Sequence, residues 1–196
     1  GFSWSPALLE VLSERGYVFD ASTLPTFIGP LARMYYFWTS RFTSDEKKER
    51  QALFGTVSDG LRSTRHYRFR LRSGAEILEI PVTTIPILKT PFHLSYLLFL
   101  SRYSNALMAL YLKLALAMCR LTGVEPSFLL HPLDLLGGDQ VPELAFFPGM
   151  DLTAKQKRVV FDQVILELKG HYRLVDMYDH VASIEAKNAV AALHQT

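Results

Sequence analysis

The stretch from residue 92 to residue 122 constrains the fold most, because it is the most hydrophobic part of the chain. Twelve residues without Lys, Arg, Asp or Glu separate Lys89 from Arg102, and ten more separate Arg102 from Lys113. A helix that crosses a bilayer needs about 20 consecutive apolar residues, so these charges argue against a membrane span. The pattern predicts one long buried helix or two in tandem, with Arg102 and Lys113 reaching solvent. An interfacial membrane helix is the alternative.

Burying such a stretch requires a sizeable core, and the composition is that of a globular protein. The 196 residues are 49% hydrophobic and 20% charged, which excludes intrinsic disorder and fits a single domain. Cys119 is the only cysteine, so a disulfide scaffold and a cysteine-rich zinc module are excluded. The net charge of +2 is too small to indicate a nucleic-acid partner.

Helical and strand patterns alternate along most of the chain. Ser5 before Pro6 is a typical helix start, and Gly16 and Gly123 are typical helix ends. Predicted helices cover residues 6–16, 43–55, 92–122, 154–169 and 178–193; predicted strands cover residues 17–20, 66–72, 77–82, 127–130 and 173–175. The strands at 66–72 and 77–82 are expected to pair as a hairpin. This alternation favours an α/β layered or barrel architecture.

Three polar residues lie at or near the carboxyl ends of predicted strands, where α/β folds place their binding crevices. They are Asp20, Glu79 and His131. His131 is placed for acid/base work, because the pKa of imidazole lies near working pH; a hydrogen-bonded structural imidazole is the alternative. Glu79 is suited to orient an Arg or His of a site, with a surface or salt-bridged carboxylate as the alternative.

Several segments, taken together and in order, resemble one enzyme family. They are residues 1–9 (GFSWSPALL), 12–22 (LSERGYVFDAS), 79–82 (EIPV), 91–98 (PFHLSYLL), 128–131 (FLLH), 131–137 (HPLDLLG) and 144–150 (LAFFPGM). The set is similar to the polysaccharide deacetylases, the NodB-homology family or carbohydrate esterase family 4, in its bacterial exopolysaccharide-associated branch. The likeness spans nearly the whole chain, and its order is more specific than any single segment.

The resemblance implies that residues 1–196 are one partial domain, the C-terminal portion of a distorted (β/α) barrel of the polysaccharide deacetylase type. Such enzymes remove N- or O-acetyl groups from polysaccharides with a divalent metal, usually zinc. By the match, His131 is the general acid that protonates the leaving group. The substrate-binding candidates are Phe2, Trp4, Glu79 and His93. Core packing is the alternative for Phe2 and Trp4, and an exposed helix-start side chain is the alternative for His93.

The family holds its metal with an Asp-Asp motif and a His-x-x-x-His motif, and neither occurs here. The six histidines are 66, 93, 131, 171, 180 and 194, with no pair four residues apart. We therefore expect that the chain is the C-terminal part of a deacetylase, that the metal motifs lie upstream, and that this chain alone binds no zinc. Sugar identity, oligomeric state and compartment stay open.

An arginine-rich segment at residues 62–72 suggests a function of another class. Arg68, Arg70 and Arg72 share one face of the predicted strand, suited to an anionic polymer or a lipid headgroup, or to a solvated sheet edge. Tyr67 and Phe69 fall on the opposite face, so no stacking platform for nucleic acid forms. The alternative to a deacetylase is a non-catalytic, membrane-proximal interaction module that uses this strand and the apolar helices at 92–119.

A cluster of aromatic residues precedes the predicted helix at 43–55. Tyr35, Tyr36 and Trp38 are suited to stack on sugar faces, and a hydrophobic cluster beneath a loop is the alternative.

Overall fold

In the computed structural model of this chain, residues 5–29 and 57–193 are described. They form a mixed α/β structure with five α-helices and a three-stranded sheet. The helices are α1 (Pro6–Glu14), α2 (Leu94–Ser101), α3 (Asn105–Thr122), α4 (Ala154–Lys169) and α5 (Met177–Leu193). The strands are β1 (Phe19–Asp20), β2 (Tyr67–Arg70) and β3 (Glu76–Glu79). The predicted helix at 43–55 and the cluster of Tyr35, Tyr36 and Trp38 lie outside the described residues.

The sheet lies between helices α1 and α5. Side chains of the central strand β3 point alternately to its two faces, and each face packs against one of these helices. Strand β1 pairs with β3 in parallel, and β2 pairs with β3 in the predicted antiparallel hairpin. On one face, Ile77 packs with Leu9 of α1; on the other, Leu78 packs with Val181 and Ile184 of α5. The hairpin turn uses Gly74 at a φ of +85°, which glycine adopts without strain.

Helices α2, α3 and α4 pack together around a second and larger core. The predicted hydrophobic stretch thus forms two helices in tandem rather than one. The inner face of α3 is buried at Met108, Leu112, Ala115, Leu116 and Cys119. Its outer face is not, since Leu110 is 66% exposed and Leu121 is 82% exposed. Despite Lys113 and Arg120, α3 is long and apolar enough to cross a membrane, and only 28% of it is buried in the fold.

The capping signals at Ser5 and Gly123 predicted their helix ends correctly, whereas the break between α2 and α3, where Ser104 caps α3, was not predicted. The Ser5 hydroxyl accepts a hydrogen bond from the Leu8 N–H at 3.2 Å, and Thr153 caps α4 in a reciprocal pair with Gln156. Gly123 ends α3 in the left-handed conformation, with φ +66°. These signals act within one turn of the helix, so they are readable from sequence alone.

Two predicted strands were wrong. Residues 173–175 form no ladder and are exposed. Residues 127–130 join no sheet. They bond to two separate segments: the Thr83 N–H donates to the Ser127 carbonyl at 3.1 Å, and the Leu94 N–H donates to the Leu129 carbonyl at 3.4 Å. These two bonds nevertheless deliver His131 to the start of α2.

Strand β1 is also shorter than predicted. It begins at Phe19, and the preceding Tyr17 and Val18 are each about 60% exposed rather than buried.

Candidate functional site

A tight turn fixes the backbone at His131. Pro132 begins a single 3-10 turn, Pro132–Asp134, directly after the extended segment. The Asp134 N–H donates to the His131 carbonyl at 2.9 Å, and the His131 N–H donates to Asp134 Oδ2 at 2.8 Å. These reciprocal bonds hold the imidazole and the carboxylate on the same side of the turn.

Helix α2 adds a third polar side chain to this turn. Ser95, the second residue of α2, donates its hydroxyl proton to Asp134 Oδ1 at 2.7 Å. The same Oγ lies 3.1 Å from His131 Nδ1, which lies 3.4 Å from Asp134 Oδ2. We call His93, Ser95, His131 and Asp134 the imidazole cluster.

Asp134 is buried but ionised. Burial alone would raise the pKa of its carboxyl, but hydrogen bonds from the His131 ring, the Ser95 hydroxyl and the His131 backbone N–H outweigh burial and lower the pKa. Only 7% of the Asp134 side chain is exposed. The site therefore contains a fixed negative charge directly beneath the imidazole.

The hydrogen bonds determine which ring nitrogen of His131 carries a proton. An ionised carboxylate only accepts, so the single Ser95 proton is committed to Asp134. Ser95 Oγ can then only accept from His131, which requires a proton on Nδ1. In the neutral ring Nε2 consequently bears the lone pair. In the charged ring both nitrogens are protonated, and Nε2 carries the proton that can exchange. The His131 side chain is 45% exposed, so the ring is open to solvent.

This arrangement differs from a Ser-His-Asp nucleophilic triad. In a triad the serine bonds one ring nitrogen and the carboxylate bonds the other. Here Ser95 and Asp134 both lie at Nδ1 of His131. Ser95 therefore orients the ring and is not the nucleophile.

His93 lies behind His131. It is 5% exposed, so the alternative of an exposed helix-start side chain was wrong. Its ring meets that of His131 edge-on, with centroids 5.5 Å apart, and that of Tyr96 at 4.7 Å. Burial, followed by the charge of His131, lowers the pKa of His93 to about 4. Its buried Nδ1 has no hydrogen-bond partner among the described residues. His93 is thus a neutral imidazole that packs against the ring of His131.

Glu79 forms a second polar centre at the end of the sheet. It pairs in register with Asp20 where the parallel strands β1 and β3 end. Its Oε1 accepts from the Thr23 N–H at 3.0 Å and from the Thr23 hydroxyl. Burial raises the pKa of Glu79 to about 8; the Thr23 hydroxyl lowers it, and the neighbouring Asp20 carboxylate raises it further. The surface and salt-bridge alternatives for Glu79 were wrong, because it is fully buried and bonded to Thr23.

The structure therefore divides the predicted residues into two groups. Asp20 joins Glu79 at the sheet, and His93 joins His131 in the imidazole cluster. Phe2 and Trp4 lie outside the described residues.

Sequence reasoning missed the roles of Ser95 and Asp134, although both lie in the segments quoted for the resemblance. The spacing of His131, Pro132 and Asp134 was the available signal, because an acidic side chain three residues after a cap returns to the cap N–H.

The described residues do not form a metal site. No three His, Cys, Asp or Glu side chains within 5–29 and 57–193 converge to hold an ion. The zinc that the resemblance implies therefore has no set of ligands among the described residues. The expectation that this chain alone binds no zinc stays a prediction, which elemental analysis of the purified chain tests.

Comparison with protein families, with curated proteins and with solved structures finds no match to this chain. The likeness to polysaccharide deacetylases accordingly stays a prediction that rests on the quoted segments.

Proposed function

We propose that this protein is a hydrolase that removes acetyl groups from a polysaccharide and that His131 is its general acid. The observation that carries the proposal is the one-sided environment of His131. Asp134 and Ser95 hold Nδ1, and Nε2 is left on a half-exposed ring. A placed imidazole with one free nitrogen is suited to proton transfer near neutral pH. The acetylated substrate is inferred from the ordered resemblance alone.

The cluster can perform one proton transfer cleanly. Water adds to the acyl carbon and gives up a proton to a base. As the bond between that carbon and the departing amine or alcohol then breaks to release acetate, the Nε2 proton passes to the leaving group. Asp134 and Ser95 hold the ring through Nδ1, which leaves Nε2 to carry the transferred proton. His93 adds no competing charge, because its lowered pKa keeps it neutral at pH 7. The carbonyl-polarising group of such a reaction lies outside what the described residues provide.

We further propose that the chain is the C-terminal portion of a distorted (β/α) barrel. In support, β1 and β3 are parallel and both end in carboxyl side chains, Asp20 and Glu79. Barrel enzymes build their sites from the carboxyl ends of such strands.

The direct test is to replace His131 with Ala in the protein as its gene encodes it. Acetate release from an acetylated polysaccharide should fall about 10²–10⁴-fold, the usual contribution of a placed general acid. The matched control is His171→Ala, because His171 is also partly exposed but lies beyond the end of α4, where it contacts Glu167. Full activity in His131→Ala would refute the proposal, and so would equal losses in both variants.

A second candidate function is favoured by the outer face of α3. Four leucines there, Leu107, Leu110, Leu114 and Leu121, are between 47% and 82% exposed, which is suited to a membrane-proximal interaction. The arginines of strand β2 support this candidate less than the leucines of α3 do, because acidic side chains already pair with them. Arg68 and Arg70 pair with Glu76, at 4.0 and 3.8 Å, and Arg68 also pairs with Glu185.

Vesicle binding separates the two candidates. Under the membrane proposal, Leu110→Gln with Leu114→Gln should reduce co-sedimentation with anionic vesicles. The matched control is Leu166→Gln, an exposed leucine of α4. If the unmodified protein does not co-sediment with vesicles, the membrane candidate is wrong and the hydrolase proposal is unaffected.

A further inference from the structure

A buried lysine lies beneath the turn that carries Asp134. Lys157 is only 2% exposed, on the inner face of α4. Its ammonium group donates to the Leu133 carbonyl at 2.7 Å, to the Leu136 carbonyl at 2.8 Å and to Met150 Sδ at 3.6 Å. All three of its protons are therefore occupied.

A lysine is an expensive residue to bury in this position. Its charge loses hydration, and no carboxylate among the described residues forms an ion pair with it. Burial lowers the pKa of Lys157, and the negative charges of Asp134, Asp151 and Asp139 act in the opposite direction. An apolar side chain would fill the same space without the desolvation cost, so the ammonium group must be explained by what it binds.

Its two strong acceptors bracket Asp134 in the sequence. Leu133 precedes Asp134 by one residue, and Leu136 follows it by two. Fixing both carbonyls fixes the backbone between them, and with it the direction of the carboxylate. The loop that follows packs closely on the start of α4: a Cβ at Gly137 would lie 2.3 Å from the Ala154 nitrogen, so only glycine fits there.

Resting on the proposed function, we propose that Lys157 is a positioning residue for the imidazole cluster. Its ammonium holds the turn at residues 133–136 so that Asp134 faces Nδ1 of His131. Lys157 is not a nucleophile or an acid/base group, because its three protons are bound inside the fold and it is shielded from substrate.

The test compares Lys157→Met with Lys155→Met. Methionine is similar in volume and lacks donors, whereas Lys155 is exposed on the same helix. In Lys157→Met, the pKa of Asp134 measured by carbon NMR should rise by about one unit, the lower end of the effect of removing a nearby opposite charge. Hydrogen exchange of the His131 amide, which donates to Asp134 Oδ2, should accelerate about tenfold, as for one lost hydrogen bond. Lys155→Met should change neither value.

The unmodified protein provides a test that does not depend on the variant folding. The Lys157 ammonium should give a slowly exchanging NMR signal with couplings across hydrogen bonds to the carbonyl carbons of Leu133 and Leu136. A rapidly exchanging ammonium without these couplings overturns the proposal. So does a folded Lys157→Met in which the pKa of Asp134 and the His131 amide exchange match those of Lys155→Met.

These outcomes are distinguishable from failure of the proposed function. If His131→Ala keeps full activity while Lys157→Met still shifts the Asp134 pKa, then Lys157 orders the turn but the hydrolase proposal is wrong. If His131→Ala is inactive and Lys157→Met leaves Asp134 unchanged, the hydrolase proposal stands and the positioning role is wrong.

Discussion

Two buried carboxyl groups of this protein have opposite charge states. Asp134 in the imidazole cluster and Glu79 at the end of the sheet are both at most 5% exposed, and burial is the largest influence on each. Yet the pKa of Asp134 is lowered, whereas that of Glu79 is raised to about 8. Depth of burial therefore does not decide whether a carboxyl group in this fold is charged.

The difference lies in what surrounds the oxygens. Both oxygens of Asp134 accept hydrogen bonds, from Ser95 on one side and from His131 on the other. Glu79 accepts hydrogen bonds from Thr23 at Oε1 only. The neighbouring Asp20 carboxylate brings a like charge and, as a hydrogen-bond acceptor, favours a proton on Glu79. Donors on both oxygens stabilise an anion, whereas a second carboxylate nearby favours the acid form.

The pH dependence of stability tests Glu79 with the largest expected effect. Its folded pKa of about 8 exceeds the ordinary value of 4.5, so the folded state holds a proton that the unfolded state releases. The free energy of unfolding should therefore fall as pH rises from 4.5 to about 8, by about 1.4 kcal/mol per unit of pKa difference. Glu79→Gln should remove this loss, as measured by urea unfolding across that range. Parallel stability curves for the two proteins would show that Glu79 is ionised.

His93 should act in the opposite direction at acid pH. Its folded pKa of about 4 lies below the ordinary 6.5, so the unfolded state binds the extra proton. Stability should be lost as pH falls from 6.5 through about 4, and His93→Leu should reduce that loss. Unfolding curves at pH 4.5 and pH 7 measure it, with the partly exposed His171→Leu as the control. Equal acid sensitivity in His93→Leu and the unmodified protein would contradict a buried neutral imidazole.

The same chemical change at the two carboxyls should have unequal effects at pH 7. Asp134→Asn replaces an ionised acceptor and should cost about 2 kcal/mol, the scale of a hydrogen bond to a charged group. Glu79→Gln replaces a protonated acid with an amide of the same shape and should cost less than about 1 kcal/mol. Urea unfolding of both variants at pH 7 makes the comparison. Equal costs would mean that the two groups share one charge state.

Removing one donor hydroxyl at each centre gives the smallest effects. Ser95→Ala should raise the pKa of Asp134, and Thr23→Val should raise that of Glu79, because each hydroxyl lowers the pKa of its carboxyl. Each substitution should cost about 1 kcal/mol, the net worth of one hydrogen bond. Carbon NMR titration of the two carboxyls measures the shifts. An unchanged pKa in either variant would remove that hydroxyl from the explanation.

The parts of the fold that local sequence determines were predictable. The cap at Ser5, the turn at Gly74 and the helix end at Gly123 each act within a few residues. The alternation of Tyr67 and Phe69 with arginines likewise predicted the edge strand of the hairpin. The prediction of a strand at 127–130 was wrong, because apolar residues alone do not supply a strand to pair with. The segment bonds to Thr83 and Leu94 instead.

The sequence singled out His131 but not the side chains that contact it. Ser95 approaches Asp134 across 39 residues of sequence, and Lys157 reaches the Leu133 carbonyl across 24. No local pattern encodes such contacts. Lys157 in particular occurs in a charged run, Lys155 to Arg158, that is typical of a solvated helix face. Lys157 faces inward only because α4 packs beneath residues 133–136.

The position of the proton on His131 tests the assignment of the imidazole cluster most directly. A two-dimensional nitrogen–proton NMR spectrum of the ring, recorded at a pH where the imidazole is neutral, distinguishes the two tautomers. The bonds from His131 to Ser95 and Asp134 predict a protonated Nδ1 and a bare Nε2. A protonated Nε2 with a bare Nδ1 would contradict this arrangement, because Nδ1 would then have no proton to donate to Ser95 or Asp134.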